Sequence, residues 1–145
     1  MSDAHRDTPT ARLLSLAYGA TSASIYARLR EKGITDTRPS HGNVMEHLAF
    51  EDGLRLSELA ARAGITAQSM GQFVDELEAL GYVERRADPT DRRAKRVFLA
   101  TKGKRSTRIE WEVIREVEAE LAGLLGQRRL TQLRRSLRQV VDGLE

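Results

Sequence analysis

Few side chains in this chain are of the kind that do covalent or metal chemistry. The histidines are His5, His41 and His47, and no two stand four residues apart, the spacing that stacks two ligands on one helix face. A metal set of His41, His47 and a nearby Glu is the weaker reading; exposed or core-satisfied histidines are expected, and no metal or other cofactor. There is no cysteine, which removes disulfides, thiolate zinc sites and thiol redox switching together. Ser57 and Ser69 have no general base at motif spacing, so nucleophilic catalysis has no support. No glycine-rich loop is available to cradle a phosphate. An enzyme is not expected.

What remains is the chemistry of recognition. Gln68, Ser69 and Gln72 offer amide and hydroxyl groups from one polar face, the groups that address base edges in a major groove. Farther on, "ERRADPTDRRAKRVFLATKGKR" (84–105) holds nine Lys or Arg against three Asp or Glu, a net +6 in a chain whose total is +3. The rest of the chain is therefore acidic. A charge run is often only a solvated face, so its meaning depends on the elements that carry it.

Those elements are legible as apolar periodicity broken by Gly and Pro. Leu13, Leu14, Ala17, Thr21, Ile25 and Leu29 make one stripe on a long helix, capped by Thr8 or Thr10 and ended near Lys32-Gly33. A second helix starts at Pro39-Ser40, carries Val44, Met45, Leu48 and Ala49 inward, and stops at "EDG". Ser57 precedes a short helix with Leu59, Ala60 and Ala63 inward, which Gly64 terminates. Thr66 then caps another, with Met70, Phe73, Val74, Leu77 and Leu80 buried, Gln68, Ser69, Gln72 and Glu76 on the other face, and Gly81 at its end. Two short helices joined by a glycine turn form a helix-turn-helix candidate.

Two strands follow, "YVERR" (82–86) and "KRVFL" (95–99), with Asp-Pro turn chemistry in "ADPTDRR" between them. Such a hairpin directly after a helix-turn-helix is a wing. Val83, Val97 and Leu99 point inward, while Arg85, Arg86, Arg92, Arg93, Lys95 and Arg96 project from the arm. Thr101 caps a long helix striped by Ile109, Val113, Val117, Leu121 and Leu124. After a break near Gly126, Leu130, Leu133, Leu137, Val140 and Leu144 form a short heptad-like seam. The terminal stripes exceed what a winged lobe needs and are expected to bury each other and a second copy of the chain.

Hydrophobic residues are 40% of the chain and charged residues 31%, ordinary for a globular protein of 145 residues. No segment has the ~18 consecutive apolar residues of a membrane span, and "MSDAHRDTPT" lacks a secretory apolar region. A cytoplasmic protein without membrane contact is expected. Trp111 and Tyr18 are read as packing residues, although aromatics near a dimer cleft are placed to line a ligand pocket.

From about Leu56 to Arg105 the chain resembles the MarR family of winged helix-turn-helix transcriptional regulators. The matching stretches are "LSELAARAGIT", "VDELEALGYVERR" and above all "DPTDRRAKRVFLATKGK". The last is similar to the family's wing signature, here Asp91, Arg93, Leu99, Thr101 and Gly103, with Ala100 inserted between Leu99 and Thr101. The resemblance implies a mainly helical fold with a small β-wing, flanked by N- and C-terminal dimerisation helices. The expected organisation is a flexible N-terminus (1–9), an N-terminal dimerisation helix and connector (10–38), a winged DNA-binding lobe (39–100) and C-terminal dimerisation helices (101–145).

It further implies a homodimeric, sequence-specific regulator, a repressor reading a palindromic operator in double-stranded DNA and released by a small-molecule effector. Carried over by position, Arg93 is the wing-tip arginine for the minor groove, and Asp91 orients the wing arginines through a salt bridge. Gln68, Ser69 and Gln72 face the major groove, with Arg85, Arg86, Arg92 and Lys95 on the phosphates. Leu13, Ile25, Leu130, Leu133 and Leu137 form the dimer contact. Family members often carry a basic residue where Gln72 stands, so affinity here leans on the wing. The competing expectation is a winged-helix module that uses the same hairpin against an acidic protein partner.

Overall fold

The computed structural model describes residues 7–144; most of the expected flexible N-terminus, and His5 with it, lies outside them. Six helices and three strands follow in the order α1 (Thr10–Glu31), α2 (Pro39–Phe50), β1 (Leu54–Arg55), α3 (Leu56–Ala63), α4 (Ala67–Ala79), β2 (Val83–Asp88), β3 (Asp91–Leu99), α5 (Thr101–Leu125) and α6 (Gln127–Leu144). The fold is mainly helical with an antiparallel three-stranded wing, strand order β1-β3-β2. The third strand is a correction: β1 is only two residues long, too short to show a period, and it adds Leu54 and Arg55 beside Val97 and Arg96.

The hairpin is also longer than expected. The strands run to Asp88 and start again at Asp91, leaving Pro89-Thr90 as the turn. Asp88 makes this possible, because its Oδ1 accepts from the Thr90 N–H at 2.8 Å and the Thr90 hydroxyl at 2.7 Å. Arg92 and Arg93 therefore stand on β3, directly after the turn.

Most helix starts shift by one or two residues from the expected caps. Pro9, with no side-chain bond, precedes α1, so neither Thr8 nor Thr10 caps it. Ser57 lies inside α3; at its start the Arg55 N–H donates to the Glu58 carboxylate at 2.7 Å. Thr101 is likewise the first residue of α5, behind Ala100. Thr66 does cap α4, accepting the Ser69 N–H at 3.1 Å. Gly64 ends α3 at φ 65°, a left-handed conformation in which a Cβ is strained.

One core joins α2, α3, α4 and the sheet through Leu48, Leu59, Met70, Val74, Leu77, Tyr82 and Val97, all nearly or fully buried. Each such apolar side chain contributes roughly 1.5–3 kcal/mol by leaving water. Ala49, expected inward, is exposed. A smaller core of Leu29, Ile34 and Val113, with Ile25, Tyr26 and Ile109 against it, ties α1 to α5. Across the same contact Arg28 pairs with Glu116 and Glu120, and Lys32 with Glu116.

The inserted Ala100 does not disturb the strand-to-helix junction. Its N–H donates to the Tyr82 carbonyl at 2.9 Å, extending the ladder by one bond before α5 begins. Gly103 passes so close beneath that carbonyl that a Cβ there would stand 2.1 Å from the oxygen. Because the obstacle is backbone, Gly103→Ala is expected to cost about 2–3 kcal/mol through overpacking. Urea unfolding with an unchanged midpoint would rule out this close approach.

Candidate nucleic-acid interface

The α3–turn–α4 unit buries Met70, Val74 and Leu77 on one side of α4 and leaves Gln68 and Gln72 exposed on the other. Ser69 sits differently. It is half-buried, its N–H is held by the Thr66 cap and its hydroxyl accepts from the Thr66 hydroxyl at 3.0 Å, so it belongs first to the cap. Gln72 reaches Glu76 at 3.5 Å, and Glu76 is itself anchored to α2 by Arg38 and by His41. His41 is buried, with Nε2 2.6 Å from the Glu76 carboxylate; Arg38 also lies over the Phe73 ring. The hydrogen bond from Arg38, then the one to His41, holds the Glu76 carboxyl below the usual range. The polar face of α4 is thus braced against α2, a link 35 residues long that periodicity cannot reveal.

The wing divides its positive charge into two sets. Register puts Arg55, Arg96 and Arg86 side by side across the three strands, an arrangement of like charges that repel. Asp88 resolves most of this. Its side chain is completely buried, and Oδ2 accepts from Arg55 Nε at 2.8 Å and Arg96 Nε at 3.0 Å. The Thr90 bonds, then the two guanidiniums, hold its carboxyl far below the usual range, so it stays ionised in all but strong acid. Arg86 pairs with Glu84 and lies over the Phe98 ring at 4.4 Å. Arg85 turns to α4, bonding Asp75 at 2.7 Å and Glu78 at 2.9 Å.

Arg85, Arg86 and Arg96 are thus partnered, contrary to their expected free projection. Arg92, Arg93 and Lys95 are exposed and make no ion pair among the described residues. Asp91 forms no salt bridge among the described residues either; its Oδ1 accepts the backbone N–H of Arg93 at 3.0 Å. The arginine-holding acid is Asp88, three residues earlier, because the bulge at Ala87/Asp88 turns that side chain under the arginine row. The sequence signal for it was only a second acid in a basic run.

The expected dimer residues also separate. Leu13, Leu133 and Leu137 are exposed, together with Leu14 and Leu16 on α1 and Val140, Val141 and Leu144 on α6. Leu130 is buried within the single chain and Ile25 is half-buried in the smaller core, so both already serve the fold of one copy. Trp111 meets Phe50 edge-to-face at 5.9 Å.

Tyr18 lines a cavity of about 730 Å³ between α1, α2 and α5, with Tyr26, Glu46, Glu110 and Ile114 among its walls. Burial, and then the charge of Glu46, push the Glu110 carboxyl up to about 7. A carboxyl raised in the folded state favours folding below its unfolded value near 4.5, and that advantage is lost as pH rises through 7. Glu110→Gln is therefore expected to flatten the stability profile between pH 4.5 and 7 and to gain about 2–3 kcal/mol above it. Parallel pH profiles of urea stability for the two proteins would contradict this.

Among the described residues no helix is long and apolar enough to cross a membrane. The MarR family model matches residues 32–94, which run from the end of α1 to the wing tip. No curated protein sequence matches significantly. Solved structures do. The fold is similar to a MarR transcriptional regulator from Methanosarcina mazei (23% identity, TM-score 0.78, 92% of this chain and 94% of that one). It is similar to MepR of S. aureus in complex with DNA (19%, 0.80, 94% and 99%). It is also similar to the PcaV transcriptional regulator of Streptomyces coelicolor bound to its natural ligand (21%, 0.74, 100% and 98%).

Proposed function

We propose that the chain is a DNA-binding transcriptional regulator of the MarR family, whose model matches residues 32–94, and that two copies act together as a repressor on a palindromic operator. The lobe at 39–100 addresses DNA, while 10–38 and 101–145 hold the two copies together. The observation that carries this reading is the selective pairing of the wing. Among the described residues four arginines have carboxylate partners, whereas Arg92, Arg93 and Lys95 near the tip have none and are left for an external polyanion. An arginine on a thin arm suits the focused negative potential of a narrow minor groove, and Gln68 and Gln72 suit base edges in the major groove. The MepR structure contains DNA and the PcaV structure a ligand, which supports the same two roles for the wing lobe and the cavity here.

The effector reading has a physical route. Ser40 and Gly42 line the cavity and flank His41, which holds Glu76 on α4 next to Gln72. A ligand that displaces α2 therefore displaces the brace of the recognition helix.

The test begins with selecting bound fragments from the source genome, then measuring affinity for the selected palindrome and for random duplex. Gln72→Ala is expected to cost about 1–3 kcal/mol on the palindrome and little on random DNA. Lys95→Ala is expected to weaken both alike and to lower the slope of log affinity against log salt by about one. Parallel losses for both variants on both DNAs would remove α4 from base reading. An absence of salt dependence would favour an acidic protein partner for the wing.

A further inference from the structure

The cavity between α1, α2 and α5 is unusual in its charge. Two carboxylates, Glu46 and Glu110, and two phenol rings, Tyr18 and Tyr26, line it, and among the described residues no Lys, Arg or His does. We propose that its ligand is an organic cation, an amine or quaternary ammonium carried on an apolar body of drug-like size. The proposal rests on the effector reading above and adds the chemical class of the effector.

The volume lies in the range that encloses a small organic molecule, and Ile25 and Ile114 give the cavity apolar wall. The polar groups converge: a β-carbon on Gly42 would stand 2.6 Å from the Tyr26 hydroxyl and 3.2 Å from Glu110 Oε1, so both meet at one point of α2. The groups facing Glu110 are Tyr18 and Tyr26 from α1 and Glu46 from α2, and none of them can supply a positive charge. Burial and Glu46 leave Glu110 only about half ionised near neutral pH, so the cavity by itself resists a second negative charge. A cation removes that resistance, because it offsets both the desolvation and the repulsion. The phenol rings add attraction at their faces, and burial beside Glu110 keeps the Tyr26 phenol protonated and neutral. An anionic ligand would meet Glu46 and the ionised fraction of Glu110 with no basic partner among the described residues of the wall.

The experiment uses the full-length protein and two probes of similar size, benzyltrimethylammonium and phenylacetate. Binding is measured by calorimetry, and release from the selected DNA by fluorescence anisotropy. The cation is expected to bind, and about tenfold or more weakly to a Glu46→Gln/Glu110→Gln variant whose folding is checked by its melting curve. Wild-type affinity should be up to about tenfold lower at pH 6 than at pH 8, with protons released on binding. Glu110→Gln should abolish that pH dependence. Tighter binding of phenylacetate, or a cation affinity unmoved by the double substitution, overturns the proposal. If phenylacetate binds in the cavity and lifts the protein from DNA, the effector reading survives and the cation class falls. If the cation binds as expected and DNA affinity does not change, the class stands and the effector reading falls. Silence from both probes overturns both.

Discussion

Leu133→Asp together with Leu137→Asp is expected to leave no folded dimer. In a single chain both side chains are substantially exposed, at 41% and 36%. Were the protein a monomer, two aspartates on this face of α6 would fall among ordinary surface changes, within about 0.5 kcal/mol each. If α6 packs against a second copy, four carboxylates per dimer are forced into an apolar seam, where an unpaired buried charge costs several kcal/mol. The stripe continues through Val140, Val141 and Leu144, and α1 adds Leu13, Leu14 and Leu16. Monomers rarely leave so many large apolar side chains in water along two helices. The variant should therefore run as monomer or aggregate, and the wild type should melt at a temperature that rises with its concentration. Leu130→Ala is the control. Leu130 is buried within one chain, so its truncation should lower stability by about 2–5 kcal/mol whatever the assembly. Light scattering of a stable wild-type monomer at micromolar concentration would end the dimer proposal.

The parts of the fold that were legible are those written in local sequence. Gly33, Gly64, Gly81 and Gly126 end or separate helices where the apolar period breaks, and all four have positive φ. The α4 stripe of Met70, Val74 and Leu77 is buried as its spacing requires. Caps were legible only to within two residues, because a Thr or Ser near a helix start can fall inside the helix while a Pro, Arg or Ala one or two residues earlier takes the cap position. What the sequence hid depends on register and long-range contact. Nothing near Arg55 says that it will lie beside Arg96 and share the carboxylate of Asp88, 33 residues away. Nor does the run around Arg85 announce that Asp75 and Glu78 on α4 will bind it. The charge count of the wing was readable; which of its cations stay free was not, and the second quantity bears on DNA. The cavity likewise needs three helices from opposite ends of the chain.

Asp88→Asn is expected to lower affinity for the palindrome by about a hundredfold, although it makes the wing more positive. Charge counting alone predicts tighter binding, because a carboxylate repels phosphate. The geometry argues the reverse. Asn can keep the Thr90 bonds through its carbonyl, so the turn itself survives. At Oδ2, however, an amide would present N–H groups to Arg55 Nε and Arg96 Nε, where two donors now share one acceptor. Arg55 and Arg96 would then repel without compensation, and the hairpin that carries Arg92, Arg93 and Lys95 would lose its fixed angle. Random duplex, which rewards charge more than position, should be bound about as well as before. Asp91→Ala is the informative partner. It loses one bond to the Arg93 N–H, so its effect on the palindrome should be the smaller of the two. Arg93→Lys should be a real loss as well, since a guanidinium is more readily desolvated than an ammonium in a narrow groove. A larger loss at Asp91 than at Asp88 would return the positioning role to Asp91. Tighter palindrome binding by Asp88→Asn, with Arg93→Lys silent, would mean that the hairpin is a charged surface and its built-in order irrelevant to DNA.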